Sequence, residues 1–299
     1  IFNTTCFNFR CNMNTKITLL LILALFSVST SPIVGRALVG VGAVSISFWR
    51  MFIAAIVLWF FSIIKPQGKM IIKENFKKTI YAGILLGIHF ALFFEAVKIT
   101  KIANATFLGT LAPFFTLLVE LYILKRYYDK KVLLGLFFTL LGSLIILGYQ
   151  FDLTSKYTLG NLYAILCSIS IAVALMIGET VRKNESTIVY TRTLYLSAAI
   201  TLFLIAMFTQ EELINFKFNE YLGLIFLGLV PTILGHNSIY YAIRYVSPTI
   251  VAAFPLGEPI IATIFAYFIF SEAITFNIFL GGLITFLGLI LISRYKKIK

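Results

Sequence analysis

Ten apolar runs, each long enough to cross a bilayer as a helix, follow one another along this 299-residue chain. A spanning helix needs about 20 apolar residues. The runs cover roughly 17–35, 44–64, 79–97, 103–124, 131–149, 159–181, 189–209, 221–243, 248–270 and 276–293. Only short links separate them, so the expected fold is an all-α integral membrane protein with ten transmembrane helices. Composition agrees. The chain is 60% hydrophobic and 12% charged, whereas a soluble domain carries about 25% charged residues. A soluble fold of this length could not bury so much apolar surface, and disorder requires the opposite composition.

The charges sort by side. With the N-terminus in the cytoplasm, 19 Lys and Arg fall in inner segments and five in outer loops, with Arg50 just inside the second helix. That bias is the positive-inside pattern. It accounts for the net charge of +13 without nucleic acid. It also places both termini in the cytoplasm, across a plasma membrane taken to be a bacterial inner membrane. Residues 1–16 read as a cytoplasmic extension, with 1–12 upstream of Met13, and 295–299 as a basic cytoplasmic tail. A secretory signal is a rival reading of Lys16, the apolar stretch to Phe26, and Ser27 to Ser31. The apolar pattern resumes at Pro32-Ile33-Val34-Gly35, which suits a kinked first helix better.

Residues 17–149 and 159–294 look like two copies of one unit. At an offset of 146, Pro113 matches Pro259, Gly135 matches Gly281, Thr139 matches Thr285, and Gly142 matches Gly288. Ala96-Val97-Lys98 matches Ala242-Ile243-Arg244 in the same register, and His89 falls one residue from the position matching His236. Five helices per copy means that the copies insert in opposite directions. Inverted repeats with a midplane site mark secondary transporters.

The second copy carries Leu227-Gly228-Leu229-Val230-Pro231-Thr232, Gly235, Tyr240 through Ser247, Glu258-Pro259, Ser271-Glu272, and Gly281 through Gly288. The first carries Gly35-Arg36, Arg50, Ala96, Pro113, Gly135 and Gly142. In order and spacing this resembles the EamA-type transporters of the drug/metabolite transporter superfamily, over about residues 17–294. The resemblance implies ten helices, cytoplasmic termini, and a central cavity lined mainly by helices three, four, eight and nine. It also implies transport of small metabolites, often export. One position departs: Arg126 stands where the family usually has an acidic residue, as at Glu272 in the second copy.

Ionisable side chains inside a bilayer are costly and point to function. His89 and His236 sit deep in helices three and eight, and imidazole titrates near neutrality. The alternative is that both are bonded to backbone or hydroxyls at helix contacts. Glu258 lies mid-helix beside Pro259, four residues after Pro255. A carboxylate at that depth must be paired or protonated, and proline removes a backbone donor. The expected cavity residues are therefore His89, Thr110, Pro113, His236, Tyr240 and Glu258. Pro113, Pro255 and Pro259 are the expected hinges, and Glu258 and His236 the candidates for proton coupling. Asn104 and Thr106 read as helix caps, and Glu95 as a local partner of Lys98 and Lys101. Glu120 should pair with an inner-loop cation, and Glu179 with Arg182 or Lys183 nearby. Trp49 and Trp59 fit interface anchors. Gly135, Gly142, Gly281, Gly282 and Gly288 suggest close helix packing.

Cys6, Cys11 and Cys167 form no disulfide framework or metal-ligand spacing, and no phosphate loop, zinc signature or nucleophile elbow is present. No metal, cofactor or enzyme activity is expected. The expected function is a secondary transporter that moves a small metabolite or amino acid outward by alternating access around a midplane cavity. An uptake carrier for a nucleotide-like or methyl-donor metabolite is the alternative within transport. An intramembrane enzyme using His89 with Glu95 or Glu258 is the alternative outside it. The expected partners are the small-molecule substrate and the lipid bilayer; monomer and homodimer both fit.

Overall fold

Backbone polar groups in lipid must be satisfied within the chain, and helices do so here. The computed structural model describes residues 15–100, 102–147, 155–270 and 276–293. Most of the expected extension, Glu272, Lys101 and the tail 295–299 lie outside the described residues. The first run is two helices, α1 (Thr15–Ser29) and α2 (Ser31–Ala37), broken at Thr30 with Pro32 opening the second piece. Then follow α3 (Ala43–Ile64), α4 (Lys73–Ile99), α5 (Ile102–Gly109), α6 (Ala112–Leu118) and α7 (Lys130–Leu147). The second half holds α8 (Thr158–Arg182), α9 (Thr187–Thr209), α10 (Phe218–Leu227) and α11 (Asn237–Ala242). It ends with α12 (Pro248–Ala253), α13 (Glu258–Phe270) and α14 (Phe276–Ser293). A π-helical stretch, Gly228–His236, joins α10 to α11, and a 3₁₀ turn, Phe254–Gly257, joins α12 to α13. Among the described residues these make nine helices long and apolar enough to cross a membrane, and no strand. The remaining expected run corresponds to α7, whose 18 described residues begin at Lys130-Lys131 and stop at Leu147.

Alternate links gather at the two ends of the bundle. At one end, Tyr128 of the link after α6 reaches Ser247 of the link before α12, and Arg126 reaches Glu179. At the other, Ser45 meets Glu211, and Thr100 bonds Asn161. The first is called the basic end here, since Lys65, Lys69, Lys125, Arg126 and Lys183 stand there.

The halves meet over several packings, α4 along α8 among them. α7 runs antiparallel along α14. A Cβ on Gly135 would stand 2.8 Å from the Gly288 carbonyl oxygen, and one on Gly281 would stand 2.5 Å from that of Gly142. The backbones therefore touch, as small residues permit in membranes. Gly282 does not share this role: its nearest neighbour, Ile260, would be in ordinary contact at 3.6 Å.

Another packing wedges α9 between α3 and α4. A carboxylate flanks each end of α9 and serves a helix of the first half. Glu211 accepts from the Ser45 amide at 3.1 Å, in the first turn of α3. Glu185 accepts from the Ile71 and Ile72 amides and from Asn75 Nδ2, at the start of α4. Helix N-termini leave amides unpaired and attract negative charge, so each contact satisfies both partners. At the Glu211 end, Trp49 also donates through Nε1 to the Leu213 carbonyl at 2.7 Å and packs on Tyr221. Trp59 lies under the Arg192 guanidinium at 4.5 Å. Both tryptophans tie helices together.

Candidate functional site

The site begins with a proline. Pro231 has no N–H, so the carbonyl of Leu227, one turn earlier, loses its helical donor. The Thr232 hydroxyl donates to that carbonyl at 2.8 Å, within the π-helical stretch that accommodates the defect. The same Thr232 oxygen accepts from Arg50 Nε at 2.8 Å, and Ser31 Oγ accepts from Arg50 Nη1 at 2.8 Å. Arg50 is 2% exposed. It shares the inward stripe of α3 with Ser47, Met51, Ala54 and Leu58, the spacing of one helical face. The ring of Phe90 covers its guanidinium at 4.2 Å, and His236 meets the Phe90 ring edge-on at 5.4 Å.

Opposite these stand two helix breaks. Between α5 and α6 the chain turns at Thr110 and Leu111. The Thr110 hydroxyl donates to the Thr106 carbonyl at 2.9 Å, and Ser168 donates to that of Leu108 at 2.5 Å. Between α12 and α13 the prolines force tighter bonds. The Phe254 amide takes the Val251 carbonyl, and the Glu258 amide takes that of Pro255. His89 leans on α8, its Nδ1 standing 3.1 Å from both the carbonyl oxygen and the Sγ of Cys167. A carbonyl only accepts, so a bond to it needs the proton on Nδ1.

These elements enclose a cavity of about 740 Å³, counting its open mouth. Arg50, His89, Thr110, His236, Pro255 and Glu258 line it, among apolar walls that include Phe90, Phe93, Ile171 and Leu175. Glu258 makes no hydrogen bond or ion pair with the described residues.

The chain matches the EamA-like transporter family over residues 15–148 and again over 158–294. It belongs to that family. Among curated relatives, the pseudopaline exporter CntI of Pseudomonas aeruginosa is 23% identical over 281 residues, 93% of this chain and 96% of CntI. The uncharacterized transporter YyaM of Bacillus subtilis is 24% identical, over 84% of each chain. An uncharacterized transporter of Archaeoglobus fulgidus is 26% identical over 93% of this chain and 98% of its own. A solved crystal structure aligns with a TM-score of 0.81 at 16% identity, over 93% of this chain and 96% of that one, so the two share a fold.

In this EamA-like chain the cavity gathers His89, Thr110, His236, Pro255 and Glu258 from the expected set, but not Pro113, Tyr240 or Pro259. Pro113 and Pro259 are buried in the first turns of α6 and α13, where proline costs no hydrogen bond. Tyr240 is fully buried, edge-on to Tyr190 with ring centres 5.4 Å apart. Asn104 donates to Asn161 Oδ1 of α8 at 2.7 Å, a tie between helices. Lys98 and Glu95 are 4.0 Å apart, as their spacing implied. Arg50 and Phe90 are the residues that sequence reading left out of the site. The signal for Arg50 was present: a cation inside an apolar run.

A second polar cluster closes the basic end. Glu120, fully buried, is bonded by Arg126, by the Tyr128 hydroxyl at 2.6 Å, and by the Thr249 amide at 3.2 Å and hydroxyl. Arg126 Nη2 reaches Glu179 at 2.9 Å, and Tyr128 also bonds Ser247 at 2.6 Å. Glu179 thus bonds Arg126, a partner that its neighbours in sequence did not suggest. Burial and the Glu120 carboxylate push the Tyr128 phenol above its ordinary range, so it stays a donor. Burial opposes the charge on Arg126, but Glu179 and Glu120 outweigh it and raise its pKa.

Proposed function

We propose that this chain is a secondary transporter that exports a small metabolite or amino acid across the plasma (bacterial inner) membrane by alternating access. The observation that carries this is the cavity itself. Residues of both family-matched segments line it, and it holds buried charge at a place where lipid-facing helices have none. In this reading α7 is the tenth span, 17–149 and 159–294 are inverted five-helix repeats, and both termini are cytoplasmic.

The α7–α14 seam supports the repeat. Exchanging the halves by the 146-residue offset turns the Gly135–Gly288 contact into Gly281–Gly142, which is also present. The seam is thus unchanged by the exchange, as a twofold relation requires. The cluster at the basic end would be the closed cytoplasmic gate, joining Glu120, Arg126 and Tyr128 of the first half to Glu179, Ser247 and Thr249 of the second. Glu258 and His236 are the proposed proton carriers, with Arg50 and His89 the other titratable groups of the cavity. Export is favoured by the name of CntI.

Reconstitution tests this reading. Purified protein in liposomes should move members of a metabolite panel down an imposed gradient, faster than empty liposomes. Turnover of a panel member into a covalent product, with no flux, would overturn it in favour of an enzyme.

A further inference from the structure

The two helix breaks are each held by a serine of the other half. Ser168 of α8 donates to the Leu108 carbonyl at 2.5 Å, beside the Leu111 amide at 3.4 Å. Ser143 of α7 donates to the Leu256 carbonyl at 2.8 Å. Both serines are fully buried. The breaks match at the 146-residue offset, Thr110 to Leu256, but the serines do not: Ser143 matches Leu289, and Ser168 matches Ile22. Neither tie follows from the repeat.

The tie at the second break has a particular chemistry. Pro259 costs α13 no bond, yet it ends the tight turn that precedes it. In that turn the Glu258 amide takes the Pro255 carbonyl, three residues back. The next bond of this kind would run from residue 259 to Leu256, and a proline has no N–H to give. Ser143 supplies the missing donor. Its oxygen also stands 2.9 Å from the carbonyl of Thr139, one turn back in α7. A hydroxyl has a single proton, so it serves Leu256 or Thr139, never both at once. Thr139 does not depend on it, because the Ser143 amide bonds that carbonyl in the α-helix. The hydroxyl can therefore let go of the break and stay bonded.

We propose that Ser143 is a positioning residue for transport: its proton latches the α12–α13 break to the α7–α14 seam in the present form, and passes to the Thr139 carbonyl when the break moves. The proposal rests on the alternating-access reading and names a bond that the movement must release. Glu258 follows Leu256 by two residues, so the latch holds the stretch that carries Glu258 into the cavity. The sign of its effect follows from the two acceptors. Without the hydroxyl, Leu256 loses the donor that replaces residue 259 in the present form, whereas Thr139 keeps its helical amide in the other. Alanine at position 143 therefore penalises the form closed at the basic end and favours the form open there.

The test reads the labelling of a cysteine placed at Leu175, which lines the cavity one turn from Glu179 of the basic-end cluster. The full chain, its native cysteines replaced, sits in sealed vesicles with the basic end outward, and the probe is a charged thiol reagent that does not cross the bilayer. Ser143→Ala should speed labelling by about fivefold, the equivalent of one net hydrogen bond. Ser197→Ala removes another serine-to-carbonyl tie, from α9 to Ile80 of α4, away from either break. It should lower Tm and leave the labelling rate unchanged. Pro259→Ala returns an N–H at residue 259, so adding Ser143→Ala to it should change the rate by less than about twofold. If Ser143→Ala alone folds poorly, the same Pro259→Ala background should restore its Tm. An unchanged rate in Ser143→Ala, an equal rise in Ser197→Ala, or no rescue by Pro259→Ala overturns the latch. Tyr128→Phe, which loosens the cluster itself, separates this from the broader reading. Labelling that Tyr128→Phe speeds and Ser143→Ala does not removes the latch alone. A cysteine at position 175 that no variant exposes from the basic end removes alternating access, and the latch with it.

Discussion

The two histidines of the cavity are unlike at the level of single bonds. His89 is tied to the Cys167 carbonyl, while His236 makes only ring contacts with Phe90 and Tyr240. His89→Ala should therefore cost stability, about 1 kcal/mol for one hydrogen bond, as well as transport. His236→Ala should change transport or substrate preference with a smaller shift in Tm. Measuring Tm and flux on the same preparations checks both, and normal flux in both variants makes them packing residues. Glu258→Gln should remove the pH dependence of flux at saturating substrate. A retained wild-type pH profile would end the coupling role. The sequence made the histidines legible because ionisable groups are scarce in apolar runs. It also put His89 one residue from the repeat partner of His236, which is Phe90, without showing what that displacement does. A single residue turns a helix by about 100°. That turn sends His89 to α8 and sets the Phe90 ring against His236. Arg50 was legible as a charge just inside the second helix, eight residues into α3, and only the fold shows it turned inward.

Among the elements, the cluster at the basic end and the glycine seam make opposite predictions about movement. If the cluster is a gate, Tyr128→Phe removes one donor from a buried carboxylate, which costs about 1.5–3 kcal/mol. That is a shift of about tenfold to a hundredfold toward the open form, since about 1.4 kcal/mol is a factor of ten. A cysteine at Ser247 should then react faster with a water-soluble reagent than it does beside Tyr128, and an unchanged rate would argue for a static tie. The raised Tyr128 pKa sets the sign of the pH effect. Its contribution is full below the free tyrosine value, about 10, and is lost as pH climbs from there through the raised value. Reactivity should stay flat through neutrality and rise in alkali. The seam should not move at all. Gly288→Leu places a side chain against the Gly135 backbone and should lower stability by about 1–3 kcal/mol, read as a fall in Tm. Helix number, order and breaks were mostly legible, since apolar length and proline positions encode them. The inner-loop cation of Glu120 was legible in kind, and Arg126 stands six positions on; the bond of Glu120 to Thr249 and the Glu179–Arg126 pair were not, because these join residues 129 and 53 positions apart.

Taken whole, the chain should present Lys69 and Lys156 on opposite faces of the membrane. With the native cysteines replaced, K69C should be labelled only by reagents that reach the cytoplasm, and K156C only from outside; labelling of both from one face would overturn the topology. The packing of α9 limits how such a molecule can move. Glu185 and Glu211 fasten its two ends to α3 and α4, so a movement that parted the two halves would have to break these bonds. The α7–α14 seam carries a different implication. Its contacts are the same whichever half is counted first, so nothing in them requires a covalent link between the helices. Two separate half-length polypeptides, threaded into the bilayer head to tail, could meet across an identical surface as an isologous pair. What one continuous chain adds is stoichiometry: one copy of each half, every time it is made.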